Sequence, residues 1–573
     1  MKKNLFAAGV VICAVVGLTA AGMFADDDGR FGRFRFAEDS LVLSRSVYVG
    51  TADTVVIGET LPLGCVGGPN GSSNVNVPTT TPGQPPQVVN VPCGIASDNG
   101  EAPNLNDTHN VWNNSGTDSS FGISSPIFLD NLSTDGRLLG TLPIPSDKIV
   151  TSFSSKSELA LNRSVDGKSL TFMAYHGGPG CGGGPVSPTR PNLIDVSASN
   201  TPGVCDPTNP VITSFVSDTI VPTAYYRAVA EVDADGHLSI TDGNAYSGDN
   251  GRAAKKGGNG LYYMAGNDNS GNLSKAELCA PKSTTCTQIG IDLVNATGAE
   301  LLVPGGTPPV PPNIGMIGRL LFGKDKPGKD TNFRGLTIFD NTLYVSKGSG
   351  GNGINTVYLA GSPGVLPTGT AADLATEPLN ILPGFPDTTA STNTSFPFGI
   401  WFANATTLYV CDEGDGTLVS PPVNGNVADA QSLATAGLQK WSLVNGTWQM
   451  LYVLQDGLDI GVPYSLANYL ASIDPATGGC RNITGRHNHD GTVTIYAITS
   501  TISANGDTGA DPNKLVKVTD LVSSSTLPTG DGGNSWGHRL GHFETIRSAR
   551  AGEVLRGVAF APSNHDNDDR DGR

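Results

Sequence analysis

Charge is scarce in this chain. Asp, Glu, Lys and Arg make up only 15% of its 573 residues, too few for a coiled coil or for a chain kept unfolded by its own charge. Positive charge is the scarcer sign: 35 Lys and Arg stand against 52 Asp and Glu, a net −17. That balance excludes a nucleic-acid backbone as the expected partner. No second long apolar run follows the one at the N-terminus, so no transmembrane anchor is expected. No Cys-x-x-Cys pair occurs, which removes zinc ribbons, thioredoxin-like redox sites and attached c-type haem.

Glycine (74) and proline (39) are abundant instead, together about a fifth of the chain. Both disfavour helix interiors, so a mainly helical protein is excluded. Apolar residues, at 38%, suffice for a core if connections are short and polar. The length calls for one large repetitive domain or several ordinary ones.

The N-terminus reads Met1-Lys2-Lys3-Asn4, an apolar run from Leu5 to about Ala21, then Phe24-Ala25-Asp26. A short basic region, an apolar stretch and small residues before a polar start form a secretory signal peptide, cleaved after Ala21 or Ala25. A secreted or periplasmic protein is expected, with residues 1–25 as signal, 26–40 as a flexible segment, 41–562 as the folded body and 563–573 as a charged tail. Cys13 leaves with the signal. Eight cysteines remain, an even number that reads as disulfides in an exported chain. Proximity suggests Cys65–Cys93, Cys181–Cys205 and Cys279–Cys286, leaving Cys411–Cys480 as a long-range staple.

A repeat runs along the body. Five segments, beginning near Glu158, Arg252, Arg334, Phe398 and Arg481, each lead from a short β-type run through a turn into a second run such as Leu343-Tyr-Val or Leu408-Tyr-Val. A second hairpin follows, clearest at Asp135-Gly136, Asp235-Gly236 and Asn445-Gly446, dipeptides suited to the positive φ angles of hairpin turns. Two hairpins per unit make a four-stranded antiparallel blade, and such units stack radially into a β-propeller. A sixth copy, Arg556 to Pro562, stops after one strand, and its partner lies at the front of the body, Leu41 to Val49. Terminal strands completing one blade close the ring and remove its exposed edges. The expectation is an all-β, six-bladed β-propeller, with seven blades left open because the stretch between Val56 and Phe128 has room for another hairpin. Val66 to Pro92 and Gly177 to Thr213 read as surface loops tied by their cysteines.

The Arg-Gly-apolar pattern of residues 334–345 and 556–562 resembles exported bacterial β-propellers of the broad NHL/lactonase-like kind. The resemblance covers most of the body as architecture. It carries no catalytic signature, and the Glu, Asn and Asp channel ligands of calcium-dependent lactonases find no counterpart here residue by residue.

Several motifs look like chemistry and fail their context. His176-Gly-Gly-Pro-Gly180 with Ser535 imitates the oxyanion loop and nucleophile of an α/β-hydrolase, but among hairpins rather than strand–helix units. Gly348 to Gly353 matches GxGxxG with no helix to follow. Asp268 to Glu277 has the glycine and terminal glutamate of a calcium loop, with Gly266 where the first carboxylate belongs, so calcium is the one candidate cofactor, on Asp268 and Glu277. Asp412-Glu-Gly-Asp415 and the acidic tail are further hard-cation loop candidates of similar standing. His487 with His489, and His538 with His542, lack a third ligand.

The repeat itself nominates a site. Arg252, Arg334, Arg481 and Arg556 occupy one repeat position, and Glu158 and Phe398 fill the other two. First strands line a propeller's channel, so these residues are expected in a ring at one end of it, able to hold an anion or paired with acids such as Glu158 and Glu553. Two functions follow. One is a monomeric extracytoplasmic binding or scaffold protein for an anionic small molecule, a glycan or a protein. The other is a propeller hydrolase of lactonase or phosphoesterase type with a channel metal such as calcium.

Overall fold

A computed structural model describes residues 34–47, 124–176, 227–268, 331–416, 434–467, 474–528 and 539–564 apart from short gaps, together with strands elsewhere in the chain. After β1 (Leu41–Val47) come β2 (Thr60–Leu61), β3 (Asn74–Thr79), β4 (Gln87–Pro92), β5 (Gly94–Ser97) and β6 (Asn113–Ser115). These five pair among themselves, as β2-β5-β6 and β3-β4. The stretch left open for a further blade therefore carries two small sheets, and the Val66–Pro92 segment, expected as loop, contains the β3–β4 hairpin.

The remaining strands build five larger sheets. The strands β7 (Ser124–Ser125), β8 (Ile127–Leu132), β9 (Leu138–Pro143), β10 (Ile149–Ser152) and β11 (Asn162–Arg163) lead into β12 (Ser169–His176), β13 (Arg227–Asp233) and β14 (Leu238–Gly243). One sheet has the order β14-β13-β12-β10-β7, with β11 also on β12. Next come β15 (Gly251–Lys256), β16 (Leu261–Asp268), β17 (Ile289–Asn295), β18 (Met316–Phe322), β19 (Thr331–Phe339), β20 (Thr342–Lys347), β21 (Thr356–Ala360) and β22 (Leu379–Ile381). They form an eight-stranded sheet made of two antiparallel groups, β15–β18 and β19–β22, joined through Asn267↔Asn332 and Asp268↔Thr331. Two four-stranded sheets follow in chain order: β23 (Pro397–Asn404), β24 (Thr407–Asp412), β25 (Gly437–Val444), β26 (Thr447–Leu454), and β27 (Ala476–His487), β28 (Thr492–Ile502), β29 (Lys514–Leu521), β30 (Glu544–Ser548). The helix α1 (Ala371–Leu374) is the one α-helix among the described residues.

The last strand, β31 (Glu553–Phe560), returns to the front and gives the sheet β31-β1-β8-β9. Leu41 pairs with Phe560, Ser44 with Gly557 and Val47 with Glu553. The C-terminal strand thus sits against the first strand of the body, as the truncated sixth copy requires. The inner strands pack round a closed cycle, β11 on β15, β15 on β19, β19 on β23, β23 on β27, β27 on β31 and β31 on β11. Radial antiparallel sheets closed in this way are a β-propeller.

Burial follows from that arrangement. Strands in the middle of a sheet are covered on both faces, so β24 (Thr-Leu-Tyr-Val-Cys-Asp) is buried at every residue, whereas β26 at the rim alternates. The core lies in the wedges between sheets. Met173, Val229, Ala254 and Tyr262 fill one, and Phe402, Leu408, Trp441 and Val357 another. A buried polar pin crosses one wedge too, Lys440 on β25 pairing with Asp520 on β29 at 3.0 Å, and within a single sheet Arg45 on β1 pairs with Asp130 on β8 at 2.9 Å.

The glycine after the repeat arginine has a packing cause. A Cβ on Gly335 would stand 2.3 Å from the Phe398 carbonyl oxygen, and one on Gly399 2.3 Å from that of Arg481. Neighbouring inner strands approach so closely that only hydrogen fits. At the hairpins, Asp340-Asn341 and Asn445-Gly446 all take positive φ (46°, 52°, 50° and 79°), as two-residue turns between twisted strands demand.

Strand direction sorts the connections by end. Second-to-third strand links leave at one end of the propeller, as residues 48–126, 177–226, 269–288, 348–355, 413–436 and 503–513. First-to-second turns leave at the other, as residues 164–168, 257–260, 340–341, 405–406 and 488–491.

Candidate functional site

All four repeat arginines and Glu158 lie near the end from which the second-to-third links leave, and each is at most 5% exposed. They fall into two halves of different character.

The first half is built on Cys411-Asp412-Glu413, where β24 ends. Cys411 forms a disulfide with Cys480 on β27, with Cα atoms 5.1 Å apart. One Glu413 oxygen accepts from Arg334 Nη2 on β19 at 3.0 Å, and the other from Arg481 Nε on β27 at 2.9 Å. Arg334 also donates from Nε to the Gly348 carbonyl at 2.6 Å, and its guanidinium lies over the Phe398 ring. Glu413 thus joins three inner-strand neighbours through charge-assisted bonds. Asp412 accepts from the Phe396 and Gly414 backbone N–H groups, both at 2.9 Å, and from Gln439 Nε2 at 2.8 Å. Burial, outweighing those donors and reinforced by the Glu413 charge, pushes the Asp412 carboxyl up to about 7.

The second half surrounds Glu158. The Thr151 hydroxyl donates to its carboxylate at 2.9 Å. Arg252 donates from Nε to the Ser157 hydroxyl at 2.7 Å and from Nη1 to the Phe333 carbonyl at 3.0 Å, with Asn332 Oδ1 also in contact. Arg556 donates from Nε to Ser46 at 3.1 Å and from Nη1 to the Ser155 carbonyl. Both arginines therefore grip the backbone stretch that carries Glu158. That stretch is strained: Leu159, fully buried, has φ +61°, a left-handed conformation costly for a bulky L-residue. Nearby, Asn482 accepts from the Val558 N–H at 2.7 Å, so a β27 side chain reaches across to β31.

The expected acids need correction. Glu553 pairs with Arg45 rather than with a repeat arginine. Glu413, read from sequence as part of a cation loop, is the acid shared by two of them. Phe398, in the arginine position of its repeat, contributes its ring instead. Lys347, which the repeat did not nominate, is also buried here at 1% exposure.

The other nominated residues are not brought together. Asp268 pairs with Thr331 across β16 and β19, while Glu277 lies outside the described residues, as do Cys65, Cys93, Cys181, Cys205, Cys279 and Cys286. His487 contacts the Ala403 carbonyl, and His489 is exposed. His542 bonds Asp456 at 2.8 Å; His538 and Ser535 lie outside the described residues. Gly348 and Gly353 flank a β20–β21 link. Among the described residues, no group of three or more His, Cys, Asp and Glu side chains gathers as metal ligands do.

No protein-family model matches the chain, and no curated protein matches it. Among solved structures, the hemagglutinin-neuraminidase of parainfluenza virus 5 soaked with DANA is 9% identical and covers 76% of this chain and 84% of its own, at a TM-score of 0.27. The ectodomain of the same viral protein is also 9% identical, covering 94% and 92%, at 0.26. Likeness this weak carries nothing about fold or function, and the propeller stands on its own strand order.

Proposed function

We propose that this chain is an exported six-bladed β-propeller that acts as an extracytoplasmic binding or scaffold protein, taking its ligand at the end from which the second-to-third links leave. Counting β15–β18 and β19–β22 as separate blades gives six, in keeping with the closed cycle of six inner strands. Export is supported by the basic-apolar-small N-terminus and by a disulfide between neighbouring blades. The Arg-Gly repeat, with each glycine pressed against the next inner strand, supports kinship with NHL/lactonase-like propellers.

The observation that carries the binding reading is the burial of charge at the end from which the second-to-third links leave. Arg252, Arg334, Lys347, Arg481 and Arg556 are buried there with Glu158, Glu413 and Asp511, besides Asp412, whose carboxyl titrates near neutrality. A locally cationic floor in a chain of net charge −17 steers an anionic group to this end. Citrate, glucuronate and polyglutamate are the probes, read by thermal shift. At least one should raise the melting temperature, and Arg334→Lys should lose that response while remaining folded. If none of the three shifts the protein, the anion reading fails. A parallel screen of lactones and phosphoesters, with and without chelator, tests the hydrolase alternative; chelator-sensitive turnover would replace the binding reading.

A further inference from the structure

The hairpin turns at the end opposite the buried arginines carry chemistry of their own. Two Asn-Gly pairs lie wholly among the described residues: Asn259-Gly260 between β15 and β16, and Asn445-Gly446 between β25 and β26. Both asparagines are exposed, and both glycines take a positive φ, +78° and +79°.

The two side chains are held differently. Asn259 donates from Nδ2 to the Tyr263 hydroxyl at 2.9 Å and accepts from the Leu261 N–H at 3.3 Å. The N–H of Gly260, the group placed to attack the Asn259 amide, itself donates to the Gly257 carbonyl at 3.0 Å. Asn445 has no such anchor. Among the described residues its side chain has no hydrogen-bond partner, and a Cβ on Gly446 would meet nothing within 4 Å. The strands that this turn joins lie at the rim, where β26 has a neighbouring strand on one side only, so the turn belongs to the low-stability end of the fold.

We propose that Asn445 is a self-modifying site, at which the side-chain amide is lost to give an aspartyl or isoaspartyl residue, while Asn259 is protected. The Gly446 nitrogen attacks the Asn445 side-chain carbonyl carbon. A new N–Cγ bond closes a succinimide ring as the Cγ–Nδ2 bond breaks, and ammonia leaves carrying the Gly446 amide proton. Water then opens the ring. Cleavage of the new N–Cγ bond gives aspartate, and cleavage of the bond to the main-chain carbonyl gives isoaspartate. Water is the only co-reactant. Glycine suits the attack because no side chain shields its nitrogen and its backbone turns freely. Both products add a negative charge. The isoaspartyl product also lengthens the backbone by one methylene, in a two-residue turn whose length sets the register of β25 on β26. The site is independent of the binding function proposed above, which belongs to the other end of the propeller.

The test holds the full exported chain for days in mildly alkaline buffer at physiological temperature, with a parallel sample in urea, and follows both peptides by digestion and mass spectrometry. In the folded chain the Asn445 peptide should show the amide-to-acid mass change, split into aspartyl and isoaspartyl forms, about tenfold faster than the Asn259 peptide. In urea the two should convert at comparable rates, since a glycine follows each and the bonds to Asn259 are gone. Tyr263→Phe removes the hydroxyl that Asn259 holds, and should speed Asn259 several-fold while leaving Asn445 unchanged. If Asn445 stays intact in the folded chain, or if Asn259 converts as fast there, the assignment is overturned. A Tyr263→Phe chain in which Asn259 is no faster overturns the account of its protection.

Discussion

Replacing Glu413 by alanine probes the join among three blades most sharply. The carboxylate holds Arg334 and Arg481 at 3.0 and 2.9 Å, and the arginine side chains are 1% and 5% exposed. Its removal leaves two guanidinium groups in a buried site with their shared counter-charge gone. Breaking a buried pair from one side costs about 3–5 kcal/mol. Unfolding entropy near 2.1 cal/mol/K per residue, over roughly 500 residues, gives about 1 kcal/mol/K, so the melting temperature should fall by about 3–5 °C. Urea titration followed by tryptophan fluorescence suits the site, because Trp401 and Trp441 lie on β23 and β25 of the central blade of the three. The companion variant Arg334→Met/Glu413→Leu/Arg481→Met removes all three charges together. It should recover most of the loss, since a well-packed apolar triad replaces a buried ionic one at little cost. A Glu413→Ala variant within about 1 kcal/mol of wild type would refute the hub. So would a triple variant less stable than the single one.

Three further outcomes follow from the same geometry. Replacing Cys411 and Cys480 by serine opens a cross-link spanning 69 residues, which chain entropy values at about 4 kcal/mol; reductant should lower the melting temperature more in wild type than in the double variant. Gly399→Ala places a methyl 2.3 Å from the Arg481 carbonyl oxygen and should cost about 1–3 kcal/mol by forcing two inner strands apart, whereas Gly446→Ala, with open space around it, should pay mainly for its positive φ. For Asp412 the folded pKa is raised from 3.8 to about 7, so the folded state binds the proton more tightly. Its contribution is fully present below pH 3.8 and is lost as pH rises towards about 7. Asp412→Asn should flatten the stability curve across that window, and an unaltered slope would place the titration elsewhere.

Most of the architecture was legible because propellers repeat. Leu343-Tyr-Val and Leu408-Tyr-Val mark equivalent second strands, and Asp-Gly or Asn-Gly marks the turns, so strand pairing could be read from local chemistry. Closure was legible from one truncated copy, and β31 does lie on β1. The arginines were legible as a set because they share a repeat position. Their partners were not. Glu413 lies after the second strand of its blade, 68 residues from Arg481, outside the position that the repeat compares. Phe398 fills the arginine position in the very blade that supplies Glu413, and its ring lies under Arg334 of the neighbouring strands. Strands β7 and β10 left no trace either, since ladders of two residue pairs are too short to impose a hydrophobic period.

The central claim is that ligand meets this propeller at the end bearing the second-to-third links, above the buried arginines. Hydrogen exchange of the full chain, with and without whichever of citrate, glucuronate or polyglutamate raises its melting temperature, tests that directly. The account predicts slowed exchange at residues 149–159, at Gly348, and at Phe396 and Glu413–Gly416. Protection confined to the opposite turns, at residues 340–341, 405–406 and 488–491, or to the rim strands β9 and β26, would contradict it.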